Sequence, residues 1–112
     1  MERSLDMSKE ITNWADTFMY HENLVDAAQS ISAWYTQLCI HNRTHTDQEK
    51  WGELAVKWER YRRNEIPNLI LPTEADAQRE VDNLNQEYYK AEKMWKALQA
   101  NPLLSSDELS RL

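Results

Sequence analysis

Apolar residues recur at helical spacing over the first third of the chain. Positions 5–41 contain neither proline nor glycine, and apolar side chains three and four residues apart fall on one helical face. The phase of that face changes near residues 20–24, where Asn23 could cap a new helix. The pattern therefore predicts two helices, at about 5–20 and 23–41, with one long helix as the alternative.

The next segment predicts a loop followed by a third helix. Residues 42–46 are polar, and Thr46 with Glu49 has the spacing of a capping box, in which each side chain bonds a free backbone amide of the first turn. The helix is expected at about 47–65. Gly52 lies inside it at a cost of roughly 1 kcal/mol relative to alanine, so we expect another backbone to approach closely there.

Residues 66–72 form an apolar linker bounded by two prolines. A proline drives the residue before it away from helical geometry, so Ile66 and Leu71 are expected to be extended. A linker this apolar predicts either a strap packed on its own bundle or a segment that docks on another chain.

The fourth helix carries the longest regular pattern. Thr73 and Asp76 predict its start, and Asn101-Pro102 stops it, so it should span about 74–99. Its apolar seam repeats as a heptad over Ala77, Val81, Leu84, Tyr88, Ala91, Trp95 and Leu98. Ser105 with Glu108 then predicts a short capped turn within 106–112.

Together these elements predict an all-α fold, a small bundle of three to four main helices in one domain covering 1–112. The fourth helix is longer than the third by about 10 Å at 1.5 Å per residue, and part of its seam should lack cover. We therefore expect a homo-oligomer or a protein partner, with a coiled-coil-like interface at Val81, Leu84, Tyr88, Ala91, Trp95 and Leu98.

Composition supports a folded helical protein and sets its class. The 112 residues carry a net charge of −6 with only one glycine and three prolines. Five Trp and five Tyr supply the apolar area that the sparse aliphatic residues do not. The lone Cys39 excludes an intrachain disulfide and is expected to be a buried, inert thiol. No signal peptide or membrane span is evident, so we expect a cytoplasmic, reducing location or the inside of an assembled particle.

Residues 57–63 hold the main concentration of positive charge. Lys57, Arg60, Arg62 and Arg63 could form a docking face for an acidic protein or, with the interleaved Trp58 and Tyr61, bind nucleic acid. Helical spacing instead places the two aromatic residues on the seam, and Glu59 can pair with Arg63. The acidic balance of the chain also disfavours nonspecific nucleic-acid binding.

Acidic and histidine residues offer weak candidates for metal chemistry. His41 and His45 lie four apart near Asp47 and Glu49, but across a predicted loop, so a zinc site is not expected. Two pairs of carboxylates four residues apart, Glu22 with Asp26 and Glu49 with Glu53, could bind Mg²⁺ in an all-helical nucleotide hydrolase, although the spacing expected of that class is absent. A further acidic stripe, Asp76, Glu80, Asn83 and Glu87, is read as a solvated face, with mimicry of nucleic-acid phosphates toward a basic partner as the alternative.

The sequence contains no catalytic, cofactor-binding or phosphate-loop motif, so we assign no catalytic residue, cofactor or metal. The leading hypothesis is a non-enzymatic protein-interaction module, an assembly, adaptor or inhibitory factor of the kind often encoded by phages or mobile elements. The alternatives are a nucleic-acid-associated regulator that uses residues 57–63 and a Mg²⁺-dependent hydrolase.

Overall fold

The computed structural model describes the backbone of residues 14–112 and the side chains from Met19 onward. Four α-helices make up most of this part of the chain, which confirms the all-α class. They are α1 (Trp14–His41), α2 (Gln48–Arg60), α3 (Glu74–Ala100) and α4 (Ser106–Ser110). A π-helical turn, Tyr61–Glu65, and a 3-10 turn, Ile66–Asn68, follow α2 directly. None of the described helices has both the length and the apolar character needed to cross a membrane.

Helix α1 is continuous, so the predicted break at residues 20–24 is wrong. His21, Glu22 and Asn23 lie within the helix, and the fully buried Leu24 begins the seam that continues through Leu38. The helix continues through this stretch because neither proline nor glycine interrupts it. The N-terminal part of the predicted first helix, residues 5–13, lies outside the described residues.

The start of α2 differs from the expected capping box. Thr46 is exposed, the N-cap position is Asp47, and no side chain caps the helix through the predicted pair. His45 instead bonds a free backbone amide at this helix start, because its Nδ1 accepts a hydrogen bond from the Asp47 amide at 3.0 Å.

Gly52 also departs from expectation, because its nearest neighbour is the Cys39 side chain and not another backbone. A Cβ added at Gly52 would lie 3.4 Å from Cys39 Sγ. Cys39 itself is half-buried.

The predicted third helix reaches residue 65, but its last turn is π-helical. Ile66 then keeps helical geometry, with φ −55° and ψ −46°, so its predicted extended conformation is wrong. Its side chain is almost completely buried in the core, and this burial outweighs the local preference that Pro67 imposes. The chain becomes extended only at Leu69, which packs on the core with Leu71 as the strap interpretation predicts, while Ile70 is 86% exposed.

Helices α3 and α4 begin where the sequence predicts. The Thr73 hydroxyl accepts a hydrogen bond from the Asp76 amide at 3.1 Å. At α4, Ser105 and Glu108 form a complete capping box. α4 then places Leu109, 5% exposed, into the core. The fourth helix predicted from the sequence, at 74–99, is therefore confirmed almost residue for residue as α3.

The three long helices run up, down and up. Ser32 Oγ donates to the Ala55 carbonyl at 2.8 Å, and Gln48 Nε2 donates to the Cys39 carbonyl at 3.4 Å, which makes α1 and α2 antiparallel. Contacts of Tyr35 with Glu87 and of His41 with Trp95 make α1 and α3 parallel. Within the described chain, α1 packs closely against both other long helices, whereas α2 and α3 scarcely approach each other.

The result is a flattened arrangement with α1 at its centre, 54 × 28 × 16 Å along its principal axes. Five residues of α1 are completely buried and form the middle of the core: Leu24, Ala28, Ile31, Tyr35 and Leu38. A closed triangle of helices would bring all three pairs to about 8–10 Å. Because α2 and α3 are spread apart, a groove opens between them.

Candidate functional site: a lysine-rimmed groove between α2 and α3

The α2/α3 groove is a cleft of about 440 Å³ with a mainly apolar floor. Tyr35 of α1 lies at its base, α2 and α3 form its two walls, and α4 closes one end. The side chains that line the walls and the closed end are Asp47, Lys50, Trp51 and Leu54 of the α2 wall, Gln86, Tyr89, Lys90, Lys93 and Met94 of α3, and Ser106, Leu109, Ser110 and Leu112. We call this feature the α2/α3 groove throughout.

The closed end of the groove is fixed by His45. Its ring lies 4.7 Å from the Trp51 ring, and its Nε2 is 2.8 Å from the Leu104 carbonyl oxygen. Because the Asp47 amide donates to Nδ1, that nitrogen is the acceptor and Nε2 carries the hydrogen that bonds Leu104. The loop before α2 and the segment before α4 are thus tied together, and α4 cannot swing away without breaking this bond.

The rim of the groove is cationic on both walls. Lys50 stands on α2, and Lys90 and Lys93 stand on α3; all three are exposed, and none forms an ion pair within the described part of the chain. Asp47 is the carboxylate among the described lining residues. Tyr89, 60% exposed, stands beside the lysines and contacts Tyr88 edge to face at 5.4 Å between ring centroids. The rim therefore combines free positive charge with an exposed aromatic ring.

Two tyrosine–glutamate hydrogen bonds hold α3 in place. Tyr35 donates to Glu87, and Tyr61 donates to Glu80. Burial raises the pKa of both tyrosines well above the ordinary value, and the neighbouring carboxylate raises it further. Glu80 and Glu87 belong to the acidic stripe that was expected to be solvated, so that interpretation is wrong for these two residues. Asn83 is exposed, and Asp76 pairs with Arg79 at 2.9 Å.

The basic cluster at 57–63 is partly neutralised. Arg62 and Arg63 both bond Glu59, whose pKa is lowered mainly by the hydrogen bond from Arg62. Lys57 lies over the Trp58 ring at 5.3 Å, and Arg60 is exposed without a carboxylate partner among the described residues. Trp58 and Tyr61 are half-buried and contact each other, as their seam positions predict. Two of the four predicted docking cations are therefore already occupied.

The predicted interface on α3 is largely covered by the chain itself. Leu84, Ala91 and Leu98 are fully buried, so the expectation that this seam lacks internal cover is wrong for them. Val81, Tyr88 and Trp95 are half-buried and pack on the core. The cover comes from α1, which at 28 residues matches the 27 of α3; the comparison with the shorter third helix was misleading.

Aromatic side chains of α1 cap the end of that seam. Trp34 lies 6.0 Å from Trp95 and 6.3 Å from Tyr88 between ring centroids, and His41 contacts Trp95 edge to face at 5.2 Å. His41 is therefore engaged with Trp95, while His45 is bonded at the groove. The structure does not bring the two histidines together as a pair of ligands.

The four carboxylates considered for Mg²⁺ do not converge. Glu22, Asp26, Glu49 and Glu53 are all exposed. Gln48 bonds the carbonyl of Cys39, so the start of α2 lies about 20 Å along α1 from Asp26 at 1.5 Å per residue. Among the described residues, no group of three or more His, Cys, Asp or Glu side chains is arranged to hold a metal ion.

The groove itself was missed by sequence reasoning. Its cations come from two helices separated by some forty positions, so no local concentration of charge marks them. The sequence offered only a weak sign of the groove. Lys90 and Lys93 flank the heptad seam of α3, and Tyr89 lies outside that seam. No protein-family model, curated protein or solved structure matches the chain, so the groove stands on its own geometry.

Proposed function

We propose that the protein is a non-enzymatic protein-interaction module and that a partner protein binds in the α2/α3 groove. The observation that carries the proposal is the spread of α2 and α3, which both pack on α1 and leave a rimmed cleft between them. A further helix or peptide segment laid in this cleft would complete a four-element bundle.

The composition of the groove supports a protein partner. Exposed tyrosines are frequent anchors of protein interfaces because they supply a large contact area and lose little side-chain entropy. Tyr89 provides such an anchor on the α3 wall, and the half-buried Leu54 lines the opposite α2 wall. The walls are held rigid by the Tyr35–Glu87 bond and by the His45 link to Leu104, so little ordering is required on binding.

The other two functions receive less support. A nucleic-acid regulator that uses residues 57–63 would rely on Arg62 and Arg63, which Glu59 engages. A Mg²⁺-dependent hydrolase would need Glu22, Asp26, Glu49 and Glu53 in one place, and they lie at different levels of the α1–α2 pair.

Site-specific photocrosslinking tests the proposal. A photoreactive phenylalanine replaces Tyr89 in the groove or, as the control, Val56, which is 51% exposed on α2 outside the groove. In extract of the native host, we expect a discrete protein adduct from position 89 and none from position 56. Absence of an adduct at 89, or the same adducts from both positions, would contradict the proposal.

A further inference from the structure

We infer that the α2/α3 groove binds an acidic amphipathic helix of about two turns, supplied by a partner protein. This inference rests on the proposed function and specifies the chemistry of the partner. It follows from the charge, the length and the floor of the groove.

The lining of the α2/α3 groove is positively charged, whereas the chain as a whole is acidic. The chain carries a net charge of −6, yet the lining of this one groove contains three lysines and one carboxylate among the described residues. None of the lysines is paired with an acidic side chain there, so their positive potential is available to a ligand. An approaching segment with acidic residues would be attracted, while a basic segment would be repelled.

The walls of the groove are short. The α2 wall runs from Asp47 to Leu54, and the α3 wall runs from Gln86 to Met94. At 1.5 Å per residue these walls are about 10–12 Å long, the length of two helical turns. Ser106 and Leu109 of α4 bound one end, so a longer helix would extend past the open end only.

The floor gives the expected pattern of the ligand. Tyr35 lies at the base, and Leu54 of the α2 wall and Met94 of the α3 wall add apolar surface between the two lysine rims. A helix fits if it directs apolar side chains, spaced three or four residues apart, at this floor and places carboxylates on both flanks. One flank would meet Lys50, the other Lys90 and Lys93. Tyr89 would pack against the apolar edge of the helix.

Selection from a displayed peptide library tests this inference without knowledge of the natural partner. Randomised helical peptides of about 15 residues, long enough to hold a helix, are selected against the intact protein and counter-selected against a triple variant, Lys50→Glu, Lys90→Glu and Lys93→Glu. We expect the enriched peptides to share an apolar stripe flanked by Asp and Glu. Enrichment of basic or neutral peptides, or no enrichment over the counter-selection, would overturn the inference.

The enriched peptide is then measured in solution by fluorescence anisotropy. We expect binding to weaken roughly tenfold in the triple variant, since three rim charge pairs are lost, and to weaken as salt is raised. A control variant with the same change of charge, Arg43→Glu, Arg79→Glu and Lys96→Glu, alters exposed residues that lie outside both the groove and the basic cluster at 57–63, and it should bind normally. Equal loss in both variants would show a nonspecific charge effect and would overturn the inference.

Single-stranded oligothymidylate is measured alongside, because lysines beside a tyrosine ring can also hold nucleic acid. Tighter binding of the oligonucleotide than of the acidic peptide at equal salt would overturn the inference in favour of nucleic acid. If photocrosslinking at position 89 captures a protein but acidic helices fail to bind, the inference fails and the proposed function stands. If no protein is captured and acidic helices still bind, the proposed function loses its support and the chemistry of the groove stands.

Discussion

At the scale of single residues, Tyr35 and Tyr61 show how side chains with no unusual sequence signal position the groove. Each donates a hydrogen bond from another part of the chain to a glutamate of α3. Hydrogen bonds to ionised acceptors are stronger than neutral ones, and partly buried carboxylates that lose their donor are costly. These two bonds therefore fix the rotation of α3 and the direction in which its lysines point.

The two tyrosine–glutamate hydrogen bonds predict that the protein becomes less stable in alkali. The unfolded tyrosines lose their protons near pH 10, whereas the folded ones retain them because burial and the adjacent carboxylates raise their pKa. Above pH 10 the folded state therefore binds more protons, and the free energy of unfolding falls as pH rises. Urea unfolding at pH 9 and 11 should show a smaller fall in the Tyr35→Phe/Tyr61→Phe variant than in the natural protein.

Removal of the Tyr35 hydroxyl alone should also reduce the free energy of unfolding near neutral pH. Tyr35→Phe leaves Glu87 without its phenolic donor and should reduce the free energy of unfolding by about 1–3 kcal/mol. Tyr89→Phe serves as the control, because Tyr89 is exposed and should change stability little. If both variants unfold at the same urea concentration as the natural protein, the Tyr35–Glu87 bond contributes nothing measurable.

Gly52 gives a prediction of opposite sign. Its added Cβ would meet Cys39 Sγ at 3.4 Å, an ordinary contact, and the backbone is helical there. Gly52→Ala should therefore stabilise the protein by about 0.5–1 kcal/mol through the unfolded state. Thermal unfolding checks this, and Gly52→Leu, which must displace Cys39, should not show the gain. A loss of stability in Gly52→Ala would mean that α2 and the Cys39 side chain cannot move enough to accommodate the added methyl group.

At the scale of elements, the sequence predicted helices where local signals and tertiary packing agree. The limits of α3 followed from Thr73, the heptad and Pro102. The predictions from sequence were wrong where the structure departs from a local preference. Helix α1 continues through His21–Asn23. Ile66 stays helical before Pro67 because its side chain is buried. Burial of Ile66 depends on contact with α1, which no local window of sequence reports.

The two threonines that the sequence predicts as helix caps, Thr73 and Thr46, provide a matched test of this distinction. Thr73→Ala should reduce the free energy of unfolding by about 1 kcal/mol, because the Thr73 hydroxyl accepts from the Asp76 amide. Thr46→Ala should change it little, because Thr46 is exposed and does not cap α2. Chemical unfolding of the two variants side by side checks the prediction, and an equal cost at both sites would restore the capping box expected at Thr46.

At the scale of the whole molecule, the fold class was predictable and the groove was not. Helices follow from periodicity and missing breakers, but the spread of α2 and α3 depends on how each packs against α1. Lys50 joins Lys90 and Lys93 only through that arrangement. The interface predicted on α3 is wrong for Leu84, Ala91 and Leu98 for a related reason, since α1 is long enough to cover them only because its two expected parts are one continuous helix.

Trp95 distinguishes packing within the chain from packing between chains. In the structure its neighbours are Trp34 and His41 of the same chain. Trp95→Ala should therefore lower the free energy of unfolding by about 2–4 kcal/mol, and the shift in melting temperature should be the same at low and high protein concentration. A shift that grows with dilution would place Trp95 in an oligomer interface instead.

The central position of α1 also has a consequence during synthesis of the chain. The helix pairs with α2 as soon as residue 60 has emerged from the ribosome, since the two are adjacent in sequence and antiparallel. Its other side, with Trp34 and the Glu87 partner Tyr35, has no cover until α3, which ends at Ala100, is made some forty residues later. A nascent chain stalled between these points would expose aromatic surface to solvent. Chaperone binding and aggregation should therefore be greatest for stalled chains of which residues up to about 72 have emerged from the ribosome, and should fall once α3 can dock.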